Sequence, residues 1–164
     1  MGNAELSVVM LTDEAREHAL TVICDEPMTR QYLLRLQHSS ICSDRLPEAL
    51  VQMLTVGHEM MVFGLHDGQY QVVLADVQYE RNTRIRMSDA VLLSMISDIP
   101  LYMEASLFRQ QSVLFNENDQ GVSIPINTMD VPRLNMAMQH AINEENYELA
   151  SKLRDEIKRR TVKG

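Results

Sequence analysis

The sequence predicts an α+β fold, a mixed or antiparallel sheet with packed helices, followed by a C-terminal α-helical hairpin. Three observations carry this. Short apolar strand-like runs alternate with helical stripes in the order ββαα, then βββαβ. Asp67-Gly68 separates two such runs, the strongest two-residue hairpin signal in the chain. Residues 131–160 read as two amphipathic helices joined by a very short polar turn.

Residues 5–11 read as a strand, residues 12–16 as a polar connection and residues 19–24 as a second strand. Asp25-Glu26-Pro27 opens a helix, because proline is tolerated in the first turn where no backbone donor is lost. Its expected buried stripe is Met28, Tyr32, Leu33 and Leu36, and His38-Ser39-Ser40 breaks it. Ser43 is the expected cap of a second helix whose Leu46, Leu50, Met53 and Leu54 face inward. Residues 60–65 and 70–77 are strands, and residues 84–86 form a short third strand after the Arg81-Asn82 turn. Ser88 is placed to cap a helix over residues 89–97, and residues 99–103 return as a strand. Residues 104–129 are less regular, and the polar run Asn116-Glu117-Asn118-Asp119-Gln120-Gly121 sets a linker within 116–130. The expected division is a body over 1–115, a linker over 116–130 and a hairpin over 131–162.

In the first hairpin helix, Leu134, Ala137, Met138, Ala141 and Ile142 recur as one stripe of a 3.6-residue period. Asp130 is placed to cap it, with Pro132 in the first turn. Asn143-Glu144-Glu145-Asn146 stops one helix and starts the next, with asparagine suited to the left-handed position and to the following cap. The second stripe is Tyr147, Ala150, Leu153, Arg154 and Ile157. Glu148–Lys152, Asp155–Arg159 and Glu156–Arg160 are acid-first i,i+4 pairs, each adding about 0.2–0.5 kcal/mol to an isolated helix. A hairpin this small cannot bury enough surface to stand alone, so its seam must meet the rest of the chain or another molecule.

Composition narrows the function. The 164 residues suffice for one domain with an appendage, and 45% hydrophobic content supports a real core. No apolar run approaches a membrane span of ~20 residues, and the N-terminus lacks a signal peptide's pattern, so a cytoplasmic, membrane-free protein is expected. Cys24 and Cys42 have no metal-ligand spacing and fit reduced thiols. Residues 1–129 hold 17 acids and 8 bases (−9), and residues 130–164 hold 6 acids and 7 bases (+1). So acidic a body repels polyanions, and nonspecific nucleic-acid binding is not supported by the net charge. Phosphate-binding glycine loops, HExxH and GxSxG are all lacking, and the five histidines are scattered singly.

Residues 84–90 hold the chemistry worth weighing. Alternation puts Arg84 and Arg86 on one sheet face. Ser88 and Asp89 begin a helix, whose free backbone donors favour an anion. Two guanidiniums beside a helix start suit a phosphodiester, and an adjacent carboxylate suits a metal or a water. The plainer reading is that Ser88 caps, Asp89 serves the helix dipole and the arginines pair with the abundant acids.

Two resemblances extend this reading. Ala141-Ile142, Glu144-Glu145-Asn146-Tyr147, Ala150, Lys152-Leu153-Arg154-Asp155 and Ile157 resemble the UVR motif. That helical hairpin is found in subunits of the bacterial excision-repair nuclease and in some protease-associated regulators. The resemblance implies docking onto a protein partner, often hairpin against hairpin, through Leu134, Met138, Ile142, Tyr147, Ala150, Leu153, Arg154 and Ile157. Arg86-Met87-Ser88-Asp89-Ala90-Val91 with Asp98-Ile99-Pro100-Leu101-Tyr102 resembles the R-P-S-D-A-I stretch and following strand of the bifunctional-nuclease domain family. Members of that family are small bacterial α+β proteins named for activity on DNA and RNA, and some carry a C-terminal UVR motif. This chain departs from the pattern at Met87, where the family has proline. It departs again at Cys42-Ser43-Asp44, where the family's histidine is missing and Asp44 remains. The resemblance implies a phosphodiesterase in which Arg84 and Arg86 bind phosphate, Ser88 fixes the helix entrance, and Asp89 and Asp44 serve water or a divalent Mg or Mn. The competing expectation is a non-catalytic adaptor that docks partners through the hairpin. In either case self-association is expected.

Overall fold

The computed structural model describes residues 7–54, 57–116 and 124–162. The expected strand start at 5–6 and most of the polar break, 117–121, lie outside the described residues. The fold is α+β. Strand β1 (Ser7–Thr12) pairs antiparallel with β2 (His18–Cys24), Ser7 opposite Cys24 and Thr12 opposite Ala19. The turn between them is fastened by Asp13, whose Oδ1 accepts the N–H groups of Glu17 at 2.8 Å and His18 at 3.2 Å. Helix α1 (Glu26–His38) follows, capped by Asp25, whose Oδ1 accepts the Met28 N–H at 2.9 Å. A 3-10 turn (Ser39–Cys42) leads to α2 (Leu46–Met53).

β3 (His58–His66) and β4 (Gln69–Asp76) form the expected hairpin. Both turn residues are left-handed, Asp67 at φ 48° and Gly68 at φ 79°, the two-residue turn that matches strand twist. β5 (Arg81–Ile85) extends that sheet, and α3 (Met87–Ile96) crosses back so that β6 (Leu101–Met103) lies parallel to β3. α4 (Ala105–Gln111) starts on Glu104, whose carboxylate accepts the Ser106 and Leu107 N–H groups. β7 (Val113–Leu114) then pairs with β2. The described residues thus form two sheets, β1-β2-β7 and the mixed β5-β4-β3-β6. The main core joins Leu20 and Val22 of β2, Met60 and Val62 of β3, Val72 of β4 and the buried face of α3. α3 touches β2, β4, β6, α1 and α2, which is why it can be apolar on nearly every side.

Two helices are rotated from the expected orientation. Arg35 rather than Leu36 turns inward on α1, forking onto Glu48 of α2 at 2.7 and 2.9 Å, with Nη1 on Gln31. A buried guanidinium must be paired, and this pairing sets how α2 sits. Val51 meets the core, whereas Leu46 (82% exposed) and Met53 (79%) point outward with Leu50. Leu33 and Leu36 are exposed as well, while Tyr32 is buried as expected.

The C-terminal helices are α5 (Val131–Asn143) and α6 (Tyr147–Thr161). They close a second core of Leu134, Ala141, Ala150 and Leu153, joined by Ala137, Met138 and Ile157. Ile126 and Met129 of the expected linker pack into the same core, beside a 3-10 turn over Ile126–Thr128. The hairpin seam is therefore satisfied within the chain. Arg160 locks it: its guanidinium donates to the Met129 carbonyl, to the Asn127 carbonyl at 3.1 Å and to Glu156 at 2.8 Å.

Candidate functional site

Asp130 caps α5, accepting the Arg133 N–H at 2.9 Å, and Asn146 caps α6, accepting the Leu149 N–H at 3.2 Å, both as the sequence suggests. The left-handed residue of the turn is Glu145 (φ 58°), not Asn143. Asn146 N–H reaches back to the Ala141 carbonyl at 2.8 Å, so the reversal is hydrogen-bonded whichever side chain occupies that position. Glu148–Lys152 and Glu156–Arg160 pair as expected, but Arg159 turns to Glu156 at 2.6 Å and Asp155 takes Arg154. The hydrogen bond from Arg159, ahead of that from Arg160, holds the Glu156 carboxyl below its ordinary value.

The eight hairpin residues expected to face a partner divide into two groups. Leu134, Ala150 and Leu153 are buried in the second core, and Met138 and Ile157 are partly covered. Ile142 and Tyr147 remain exposed, Tyr147 at 66%, and Arg154 lies on the surface with Ser151 and Asp155. At about 100° per residue, Met138 and Ile142 follow Leu134 on one flank of α5. Tyr147 and Arg154 occupy the corresponding flank of α6. Because the helices are antiparallel, those flanks share one face of the hairpin, next to the turn.

At the other end, where the hairpin meets the body, lies a cleft of about 620 Å³. Its walls come from the end of β2, the start of β4, residues 84–89, and Thr128 and Arg133 at the root of the hairpin. Arg84, Arg86, Ser88 and Asp89 all line it, so the segment singled out in the sequence does converge. Asp44 does not line it, and stands exposed between the 3-10 turn and α2. The second carboxylate of the cleft is Asp25, the α1 cap, and the third guanidinium is Arg133. Neither is adjacent in sequence to the segment that marks the site.

The geometry within the cleft is specific. Arg86 occupies the position before α3 and gives Nε and Nη2 to Asp89 at 2.8 and 2.9 Å, a bidentate pair that raises the guanidinium's pKa. Ser88 is therefore a first-turn residue rather than the cap. Its carbonyl accepts the Tyr32 hydroxyl at 2.8 Å, which ties α1 to the start of α3. Arg84 lies opposite Val73 with its guanidinium 5.9 Å from the Phe63 ring centroid, and it has no carboxylate partner among the described residues. Tyr70, 8% exposed, forms part of the wall, and its buried hydroxyl has no partner among the described residues. Burial pushes that hydroxyl's pKa well above its usual range. Gly68 closes the contact with the hairpin: a Cβ there would stand 2.4 Å from the Met129 carbonyl oxygen. Among the described residues no group of three or more His, Cys, Asp or Glu is arranged to hold a metal ion.

The class defined by this fold and site is an α+β body carrying a capped helical hairpin at its C-terminal end. Residues 132–159 match the UVR family, described as the UvrB/uvrC motif. That match covers the hairpin and does not extend to the body, and the likeness of residues 86–102 to the bifunctional-nuclease domain finds no support there. No curated protein matches the chain. Among the described residues no helix is long and apolar enough to cross a membrane.

Proposed function

We propose that the chain is a docking adaptor whose hairpin engages a second helical hairpin of the same kind, supplied by another copy or by another protein bearing the motif. The observation that carries this reading is the division of the hairpin's apolar residues. The seam is consumed internally, so the hairpin is held as a formed unit, while Ile142 and Tyr147 stay exposed on one flank with Arg154. Tyrosine and arginine are the side chains that dominate protein interfaces, and pre-formed elements lose little entropy on binding. The UVR match supports the same class of role.

Sedimentation of the full chain across a concentration series, and titration against a second UVR-bearing protein, test the reading. Association that is lost in the Ile142→Ser/Tyr147→Ser double variant supports it. A chain that remains monomeric and binds no hairpin-bearing partner sinks it.

One observation favours a second reading, phosphodiester hydrolysis of DNA or RNA: Arg84, Arg86 and Asp89 share one cleft with the start of α3. In that reading the arginines hold phosphate, Ser88 sets the helix entrance and Asp89 orients water or a divalent Mg or Mn. Asp25 takes the place expected of Asp44. Cleavage of labelled DNA or RNA that disappears in Asp89→Ala supports it, and no cleavage with either metal counts it out.

A further inference from the structure

We propose that the cleft at the root of the hairpin binds a small phosphate monoester bearing hydroxyl groups, gripped jointly by the body and by α5. The volume, about 620 Å³, is that of a small-molecule site. In a chain of net charge −8, three arginines line this cleft: Arg84 on β5, Arg86 just before α3 and Arg133 on α5. Arg84 has no carboxylate partner among the described residues, and Arg86 keeps Nη1 free while its Nε and Nη2 are braced by Asp89. Arg133 arrives from the first turn of α5, where its Nη1 donates to Asp130 at 3.2 Å.

Between these cations opens the N-terminal end of α3. Arg86 supplies no side-chain cap, so the Ser88 and Asp89 N–H groups and the Ser88 hydroxyl have no partner among the described residues. Such a helix start favours a phosphate oxygen. The Tyr70 hydroxyl is an independent observation: it is a buried donor with no partner among the described residues, on a residue that lines the cleft, and such a donor costs stability until it is paired.

The two carboxylates decide what else the ligand carries. Asp89 already accepts two hydrogen bonds from Arg86 and Asp25 one from the Met28 N–H, and their remaining lone pairs repel a bare dianion and suit a ligand that brings donors beside its phosphate. A phosphorylated polyol meets this requirement, with phosphate toward the arginines and hydroxyls toward the carboxylates. No bond is broken, which separates this inference from hydrolysis, and it does not depend on the docking reading.

Ribose 5-phosphate, inorganic phosphate and ribose are the probes, each titrated into the full chain by calorimetry and by amide chemical shifts. Ribose 5-phosphate is expected to bind saturably and be recovered intact, inorganic phosphate more weakly, and ribose not at all. Arg84→Gln and Arg133→Gln are each expected to weaken ribose 5-phosphate by about tenfold, one charge-assisted hydrogen bond's worth. Arg30→Gln, whose side chain is exposed and paired with Glu26, is expected to change nothing. Absence of saturable binding overturns the site, as does binding indifferent to Arg84→Gln. Indifference to Arg133→Gln overturns the joint grip, and equal binding of inorganic phosphate overturns the hydroxyl requirement. Melting curves of each variant, compared with wild type, confirm that lost binding is not lost folding.

Discussion

Gly68→Ala isolates the contact between the two cores of this chain. Gly68 is left-handed at φ 79°, and a Cβ there would lie 2.4 Å from the Met129 oxygen and 2.6 Å from its carbonyl carbon. Two costs follow. An L-residue in the left-handed region costs roughly 1–2 kcal/mol. Forcing a methyl group into packed backbone costs about 1–3 kcal/mol more, or moves the hairpin root away. Gly57 supplies the control, since it is also left-handed, at φ 103°, but its added Cβ meets nothing within 4 Å. Gly57→Ala therefore carries the backbone term alone. The expected difference between the variants is about 1–3 kcal/mol, read as a lower melting temperature by about 2–4 °C per kcal/mol for a chain this size. Hydrogen exchange locates it: Gly68→Ala should speed exchange over residues 129–134 and spare β2. Equal melting temperatures and unchanged exchange at 129–134 would refute the claim that the hairpin root seats on the Asp67-Gly68 turn.

Further outcomes follow from the two cores and the rotated helices. Leu153, 1% exposed, anchors the second core, so Leu153→Ala should cost about 2–5 kcal/mol. The lost exchange protection should appear in α5 and α6 before the body. Glu156 has a folded pKa below its ordinary 4.5, because Arg159 and Arg160 hydrogen-bond its charged form. The unfolded chain then binds the proton more readily, so this contribution is complete above that ordinary value and is lost as pH falls through the depressed one. Glu156→Gln should flatten the acid limb of hairpin stability measured by circular dichroism. Leu46→Ser and Met53→Ser should each stay within about 0.5 kcal/mol of wild type in urea unfolding, as suits exposed positions. A loss like that of Leu153→Ala would mean α2 is turned inward after all.

What the sequence revealed followed local chemistry. The hairpin was legible because capping, period and charge sit within a single stretch of chain. Asp67-Gly68 was legible because only a few residue types accept its backbone. Arg84, Arg86, Ser88 and Asp89 could be grouped because they are near neighbours. Asp25 and Arg133 could not, since tertiary packing alone brings β2 and α5 to that cleft. Asp25 even has a sufficient local explanation, capping α1, which hides its second position. The orientation of α2 is not legible in its apolar stripe, because the buried Arg35–Glu48 pair decides the rotation. α4 gives little local signal because its cap is Glu104, outside the usual Ser, Thr, Asp and Asn set, and β7 is too short to show any alternation.

The two hydrophobic cores do not interleave along the chain, and that bears on how the protein is made. Every residue of the first core lies at or before Phe108, and every residue of the second at or after Ile126. During synthesis at roughly 5–20 residues per second, β7 therefore leaves the ribosome seconds ahead of α6. The body's core has all its members before the hairpin's core has its own. For that interval the Arg84, Arg86 and α3 wall faces water without Arg133 opposite it. The nascent chain thus builds one wall of the cleft first and adds the other side last.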